Sequence, residues 1–278
     1  MKPTWLNKKI NLKDCSETKQ VLRSLRVETV CEQAMCPNIG ECFSAKSATF
    51  LILGRNCTRS CSFCNIQKAK PLPVDKNEPE RVAQAVGQLG LKHVVVTSVT
   101  RDDLADGGAG IFADTVNQIR QKFPKVTIEL LIPDFGFALN ALKTVVACAP
   151  EIIAHNLETV PSFYKLVRQG ADYTRSLGLL RVLKEISPQQ KTKSGLMLGL
   201  GEKTAEVLAV MRDLRLVQCD FLSIGQYLSP SNQHYPVKDY ISPEQFDDYK
   251  HKAKELGFLH IESGSYVRSS YLAAQYLS

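Results

Sequence analysis

Three observations predict an α/β fold built on parallel strands. Short apolar runs alternate with amphipathic stretches about six times between residues 49 and 263. The run 93–97 is continuous and β-branched, as expected of a strand buried on both faces. Polar segments rich in Gly, Asn, Asp and Glu recur where the apolar runs end. Repeated strand–helix units imply right-handed crossovers and a parallel sheet, either doubly wound and flat or curved into a partial barrel. A chain of 278 residues, 44% hydrophobic, can bury a full core in one large domain or one domain with extensions.

Taken in order, residues 49–53 form the first strand, which delivers Cys57 at its carboxyl end. Residues 78–89 are helical, with Val82, Ala85, Val86 and Leu89 at i, i+3, i+4 and i+7. Strand 93–97 is followed by helix 111–123, strand 126–132 and helix 135–147. Strand 151–156 precedes helices at 162–168 and 176–186. Strand 192–198, helix 204–217 and strand 221–226 continue the alternation. Ser242 as N-cap and Pro243 in the first turn open a further helix, and 259–263 is a last short strand.

In parallel α/β folds, chemistry sits at the carboxyl ends of the strands. Six polar segments fall there: 56–64, 97–110, 134–136, 156–158, 199–202 and 226–231. They are ordinary βα loops or the rim of a site for a large polar ligand. Asp106-Gly107-Gly108-Ala109-Gly110 matches neither phosphate-loop nor dinucleotide spacing and is weak by itself. The net charge of +7 is modest, with no helix-turn-helix, RNA-recognition signature or long basic run, so no nucleic-acid partner is expected. An acidic protein partner fits the charge equally well. No apolar run approaches the roughly 18–20 residues of a membrane helix. Met1-Lys2-Pro3-Thr4-Trp5 leads into a polar stretch rather than a signal peptide, and a cytoplasmic protein with no membrane partner is expected.

Six of the nine cysteines fall into two triplets. Cys57, Cys61 and Cys64 read Cys-x3-Cys-x2-Cys, and Cys31, Cys36 and Cys42 read Cys-x4-Cys-x5-Cys. Disulfides suit secreted chains with even counts, and structural zinc usually takes four Cys or His ligands, often as paired knuckles. Neither pattern is met. Three thiolates with an open corner suit 4Fe–4S clusters better, and two triplets suggest two clusters with different jobs. Cys148 and Cys219 read as buried structural thiols, and Cys15 has no motif partner. The 57–64 spacing, with Phe63 before the last cysteine, resembles the radical S-adenosylmethionine (SAM) superfamily. There the open iron chelates the amino and carboxylate groups of SAM. Asn156 and Glu158 are then placed for ribose or amino contacts, with loop capping as the plain alternative.

The resemblance narrows along nearly the whole chain. Cys36-Pro37-Asn38-Ile39-Gly40-Glu41-Cys42, Ala48-Thr49-Phe50-Leu51-Ile52-Leu53-Gly54, Cys57-Thr58-Arg59-Ser60-Cys61, Thr97-Ser98-Val99, Arg101-Asp102-Asp103-Leu104, His155-Asn156-Leu157-Glu158-Thr159-Val160, the Lys193–Glu202 run, Ile224-Gly225-Gln226-Tyr227-Leu228 and Arg268-Ser269-Ser270-Tyr271 resemble the lipoyl synthase family. That resemblance implies a partial (β/α)6 barrel of parallel strands at 47–258. It implies an N-terminal extension, 1–46, carrying the auxiliary cluster motif, and a C-terminal tail, 259–278, completing that site. It implies two 4Fe–4S clusters and SAM as cofactors. Cys57, Cys61 and Cys64 hold the cluster that binds and reductively cleaves SAM to methionine and a 5′-deoxyadenosyl radical. The radical takes hydrogen from carbons 6 and 8 of a carrier-bound octanoyl chain, with two SAM molecules used per product. Cys31, Cys36, Cys42 and Ser270, with Ser269 as fallback, hold the cluster that donates sulfur. Thr97, Ser98, Asn156 and Glu158 contact SAM. The implied partners are an octanoylated lipoyl carrier domain or glycine-cleavage H protein, and an electron donor such as ferredoxin or flavodoxin.

The chain departs from the family pattern in places. Thr100 stands where Asp is usual, the 134–137 loop is one residue short, Gly264-Ser265-Tyr266 replaces a Gly-Pro entry, and Leu272 stands where His is common. None of these removes an implied ligand. Two other classes compete: another auxiliary-cluster sulfur inserter or methylthiotransferase, and a non-enzymatic iron–sulfur carrier. The first places its auxiliary cysteines differently, and the second has no need of an open iron and six polar rim loops.

Overall fold

The structure is a computed structural model that describes residues 2–8 and 15–277; residues 1, 9–14 and 278, parts of the expected terminal segments, lie outside that description. The chain divides into two compact units. One comprises Lys9–Arg59 and Asn65–Ile153, and the other Met1–Lys8, Ser60–Cys64 and Ala154–Ser278.

In the first unit, α1 (Ser16–Ser24) leads to the two-residue strand β1 (Glu28–Thr29), then to short helices α2 (Val30–Gln33) and α3 (Ile39–Ser44). The Thr29 side chain accepts from the Glu32 N–H and caps α2. Buried Cys15 donates its S–H toward the Ile39 and Gly40 carbonyls at 4.0 and 3.8 Å, seating the start of α1 against α3. None of these elements was expected, and β1, α2 and α3 are too short to display a period.

Strand β2 (Thr49–Ile52) pairs antiparallel with β1 and parallel with β5. Between them lies a two-stranded parallel ribbon, β3 (Asn56–Cys57) with β4 (Gln67–Lys68). Helix α4 (Glu78–Leu89) follows with the expected bounds, Pro79 in its first turn and Gly90 closing it in the left-handed region. Val82, Ala85, Val86 and Leu89 are all buried, so the periodicity gave the core face correctly. Strand β5 (His93–Ser98) has four fully buried residues in its middle, which explains its unbroken β-branched run. Then come α5 (Ala109–Lys122), β6 (Thr127–Leu131, parallel to β5), α6 (Leu139–Ala147) and β7 (Ile152–Ala154).

The helix expected over 135–147 begins only at Leu139. Phe135, Gly136 and Phe137 all have positive φ, and they form a separate 3-10 turn capped by the Asp134 side chain. Positive φ cannot continue a right-handed helix, so the chain re-enters helix after Ala138.

The second unit holds a 3-10 turn at Pro161–Phe163, α7 (Tyr164–Val167), α8 (Tyr173–Ile186), β8 (Lys191–Leu198), α9 (Thr204–Leu216), β9 (Phe221–Gln226), α10 (Pro243–Glu255) and β10 (His260–Gly264). Strands β8, β9 and β10 are parallel. Ser242 accepts from the Gln245 N–H at 3.3 Å, so the expected cap opens α10. Val167, Leu200 and Tyr227 form a buried apolar cluster against Phe63, Phe163, Met197 and Tyr235.

The C-terminal segment is tied down at three points. Val267 O lies where a Cβ on Gly225 would sit, 2.0 Å from it, so the tail crosses β9 at a position open only to glycine. Tyr276 stacks edge-on against Phe221, donates to Leu222 O at 3.3 Å, and receives the Lys193 ammonium 3.7 Å from its ring centre. Tyr266 donates to Leu6 O at 2.6 Å, and Lys8 sits 6.0 Å from the Tyr271 ring centre.

Candidate active site

Cys57 closes β3, five residues past the end of β2. Two contacts fix the turn into it. Glu78, at the start of α4, accepts the Leu53 N–H at 2.6 Å, although burial pushes its carboxyl pKa up. Arg101, buried beside it, donates to Leu53 O at 3.3 Å and forks onto Asp103 at 2.8 and 2.9 Å.

The next two residues bind outward. Thr58 Oγ1 donates to Thr100 O and Asp102 Oδ2 at 3.0 and 2.8 Å. Arg59 spreads one guanidinium over two carboxylates: 2.8 and 3.0 Å to Asp102, 2.6 and 2.9 Å to Asp134. Its guanidinium pKa rises, the two carboxylates outweighing burial, and Asp102 is held below the ordinary carboxylate range despite partial burial. The Arg59 N–H donates to Cys57 Sγ at 3.5 Å. Residues 60–64, with Cys61 and Cys64, belong to the second unit. There Ser62 N–H donates to Val167 O at 2.9 Å and Cys64 N–H to Cys61 O at 3.2 Å.

The auxiliary triplet lies within the first unit. Cys31 is on α2, Cys36 follows it, and Cys42 is on α3. The Cys36 N–H donates to Cys31 O at 3.0 Å, and Cys42 N–H to Asn38 O at 2.9 Å. Burial pushes the Cys31 thiol up to about 11, and the neighbouring Cys36 adds to the rise. None of the nine cysteines is in a disulfide. Among the described residues no three or more His, Cys, Asp or Glu converge as the ligands of a metal ion. The donor chemistry nevertheless fits iron–sulfur clusters: each triplet is sulfur only, without the histidine or fourth cysteine that structural zinc takes. Cys219 is fully buried, with its thiol raised to about 12 by burial, as expected of a structural cysteine. Cys148, expected to be buried, is only half-buried because it caps the exposed end of α6.

The four expected SAM contacts divide by how far their polar atoms are already used. Thr97 Oγ1 donates its proton to Leu131 O at 2.8 Å and keeps only acceptor capacity. Ser98 Oγ, one residue on, is buried with no hydrogen-bond partner among the described residues. Asn156 Oδ1 is in the same condition, while its Nδ2 donates to Glu158 Oε1 at 3.0 Å. Thr159 Oγ1 is a third orphan, within the 155–160 motif but not singled out in the sequence. Orphaned buried polar atoms are rare, and a polar ligand would satisfy them. Glu158 has φ 66 yet bridges to Leu196 on β8, donating to Gly195 O at 2.9 Å and accepting from the Met197 N–H at 2.8 Å. Such backbone strain in a non-glycine residue gathers at functional sites. Burial raises the Glu158 pKa, and Arg168 and Asn156 offset it only in part.

Other rim groups are consumed by their own loops. Glu202 accepts the Gly199 and Leu200 N–H groups at 2.5 and 2.9 Å. Gln226 donates to Leu198, Tyr227 and Asp239 carbonyls, each at 3.0 Å. At the glycine loop, a Cβ on Gly107 would meet Phe135 at 2.9 Å and one on Gly108 would meet Leu53 at 2.2 Å. Asp106 accepts from the Gly108 and Gly110 N–H groups at 2.9 and 2.8 Å and opens α5. That loop is a packing and capping device rather than a phosphate cradle.

A thiol loop that follows a parallel strand, with polar orphans at later strand ends, is the layout of a radical SAM protein. The Radical SAM superfamily model matches residues 51–214. Solved structures with similar folds include methylornithine synthase, with TM-score 0.59 at 13% identity over 85% of this chain and 73% of that one. HydG, a maturase of the FeFe-hydrogenase, gives TM-score 0.60 at 16% identity over 91% and 63%. These likenesses bear on the fold alone and agree with the partial-barrel class expected from the sequence.

Much closer are the curated lipoyl synthases. That of Geobacter metallireducens is 58% identical over 99% of this chain and 97% of its own length. That of Caldanaerobacter subterraneus subsp. tengcongensis is 52% identical over 98% and 95%. The chain belongs to the lipoyl synthase family, and is thus a radical SAM enzyme of the sulfur-inserting kind. No helix among the described residues is long and apolar enough to cross a membrane.

Proposed function

We propose that this enzyme converts an octanoyl group on a carrier-protein lysine into lipoyl by inserting sulfur at carbons 6 and 8. The observation that carries the reading is the pair of sulfur-only triplets on separate elements, within a sequence 58% identical to a lipoyl synthase over nearly its full length. Cys57, Cys61 and Cys64 are the ligands of a 4Fe–4S cluster that binds SAM. Cys31, Cys36, Cys42 and Ser270 are the ligands of an auxiliary cluster that gives up sulfur. When bound, the first cluster and SAM supply the radical that breaks unactivated C–H bonds, which no side chain can do.

The protein's share is to hold and orient. Arg59 and Thr58 anchor the cluster loop to Asp102 and Asp134, and the Arg59 N–H points at Cys57 Sγ. Ser98, Asn156, Glu158 and Thr159 offer a hydroxyl, an amide, a carboxylate and a second hydroxyl, suited to the ribose and amino groups of SAM. Thr97, whose hydroxyl donates to Leu131 O, keeps its oxygen lone pairs to accept from the ligand. The carrier is an octanoylated lipoyl domain or glycine-cleavage H protein, the reductant a ferredoxin or flavodoxin, and the setting the cytoplasm.

Anaerobic reconstitution followed by turnover on an octanoylated lysyl peptide tests the reading. About eight iron and eight sulfide per chain are expected, and product mass reports the two sulfurs. Replacing Cys57, Cys61 and Cys64 with Ala abolishes 5′-deoxyadenosine. Replacing Cys31, Cys36 and Cys42 with Ala spares it but stops sulfur insertion. Saturation near four iron, or lipoyl product from the second variant, removes the two-cluster assignment.

A further inference from the structure

The β3–β4 ribbon lays a cationic strand beside the first residue of the SAM-cluster loop. Cys57 and Lys68 are register partners, as are Asn56 and Gln67. The Asn56 side chain donates to Lys70 O at 2.8 Å and extends the attachment by two residues. Residues 67–70 are all exposed, so the ribbon buries nothing that explains its sequence. Neither Lys68 nor Lys70 shares an ion pair with a carboxylate among the described residues, whereas nearby Arg55 is taken by Glu28 at 3.2 Å and Arg81 by Asp75 at 2.8 Å. Immediately beyond, Leu72 stands half exposed between Pro71 and Pro73. The prolines restrict the backbone on either side of it, so little ordering entropy is lost when it is covered.

We propose that Lys68, Lys70 and Leu72 are the docking face of an acidic protein that carries a low-potential one-electron centre. The proposal rests on the reading of Cys57 as a cluster ligand. That cluster must be reduced from outside the chain before each SAM cleavage. In each delivery the donor's centre loses one electron and the cluster gains one; no proton or bond is exchanged. Electron transfer demands a short path, and β4 is the exposed backbone in direct register with Cys57. Unpaired ammonium groups with an apolar centre match the pattern of a transient, charge-steered complex, in which charge sets the on-rate and the fit is lost at high salt. The same face is unsuited to SAM itself, whose sulfonium is cationic.

The test uses reduced flavodoxin as donor and dithionite as a small reductant that needs no docking face. In Lys68→Glu/Lys70→Glu enzyme, flavodoxin-driven 5′-deoxyadenosine formation at low salt falls about tenfold, while the dithionite-driven rate stays at the wild-type value. The neutral pair Lys68→Gln/Lys70→Gln falls in between, and the salt dependence flattens in both. A second readout needs no cluster: oxidised flavodoxin titrated into the metal-free protein binds wild type in a salt-sensitive way and the Glu pair more weakly. Equal flavodoxin-driven rates and equal binding overturn the proposal. A raised KM for the octanoylated carrier, with donor dependence unchanged, assigns the face to the carrier and overturns it too. Wild-type enzyme that makes no 5′-deoxyadenosine with dithionite instead overturns the proposed function, and the titration still decides the face.

Discussion

Arg59 grips Asp134 through two parallel N–H···O contacts of 2.6 and 2.9 Å, one end of the pair on the Cys57–Cys64 loop and the other at the strand end after β6. The Asp134 side chain is 1% exposed and that of Arg59 12%, so the pair is buried. The same guanidinium forks onto Asp102 after β5. One arginine between Cys57 and Cys61, the proposed cluster ligands, thereby ties its loop to two successive strand ends. The planar fork suits this double task; a lysine offers a point charge and no fork.

Arg59→Gln therefore strands a buried carboxylate at Asp134. A loss of roughly 3–5 kcal/mol is expected, as when one partner of a buried pair is removed. Urea unfolding of the metal-free protein reads it. Asp102→Asn, at a 41% exposed side chain, changes the midpoint far less. Equal midpoints for Arg59→Gln and wild type would show that the double fork is not what holds the loop.

Gly195→Ala tests the Asn156 orphan. The new Cβ would lie 2.8 Å from Asn156 Oδ1 and 2.9 Å from Ser223 Oγ, so one of these side chains must move. A stability cost of about 1–3 kcal/mol, typical of overpacking, is expected. SAM affinity should fall further than the midpoint shift accounts for, measured by equilibrium dialysis on the reconstituted enzyme. Unchanged SAM binding beside a lowered midpoint would leave Asn156 a structural residue.

Much of the frame was legible in the residues. The 3.6-residue period gave α4 to the residue, the β-branched run gave β5, and the Ser242-Pro243 signal gave the start of α10. Most of what escaped had no period to read. Helices α2 and α3 are four and six residues long, too short to display a face, and α1 was passed over although Thr18 and Leu22 repeat at i, i+4. The break at Phe135–Phe137 turns on positive φ in two phenylalanines, which composition does not signal. The sequence pointed to Asn156 and Glu158 but gave Thr97 and Ser98 equal weight. Only the hydrogen bonds separate them, because strand alternation turns one hydroxyl into the sheet and leaves its neighbour unsatisfied.

Glu158 gives a pH signature. Its folded pKa lies above the ordinary 4.5, so its contribution to stability is complete below that value. As pH rises past 4.5 the unfolded chain releases this proton while the folded one keeps it, and stability drains until the folded pKa is passed. Glu78 and Glu202 are shifted the same way, so the measurement is a difference. Glu158→Gln should flatten the fall of the unfolding midpoint as pH rises above 4.5 in metal-free protein. If the proposed SAM contact is right, SAM offsets the loss at high pH in wild type, where its ammonium meets the carboxylate, and fails to do so in the variant.

Ser270 carries the most exacting expectation, because it assigns a hard hydroxyl to a site otherwise made of thiols. The segment before it is fixed: Val267 lies against Gly225, Tyr271 N–H donates to Arg268 O at 2.9 Å, and Lys8 reaches over the Tyr271 ring. A residue in so constrained a turn is placed by the fold rather than by the ligand, so its substitution should alter cluster chemistry more than folding. Ser270→Ala is expected to lower auxiliary-cluster iron and sulfur insertion, leave 5′-deoxyadenosine formation largely intact, and shift the unfolding midpoint of the metal-free protein little. Ser270→Cys is expected to act in the opposite sense on the cluster. Thiolate is the softer and stronger ligand for iron–sulfur clusters, so iron content holds or rises while sulfur transfer slows. The two substitutions thus separate ligation from mere polarity. A hydroxyl that only solvates the tail would be replaced by Cys without slowing transfer, and Ser269→Ala would then be the variant to show the loss. Iron and sulfide analysis beside product mass, on the same reconstituted samples, distinguishes these outcomes.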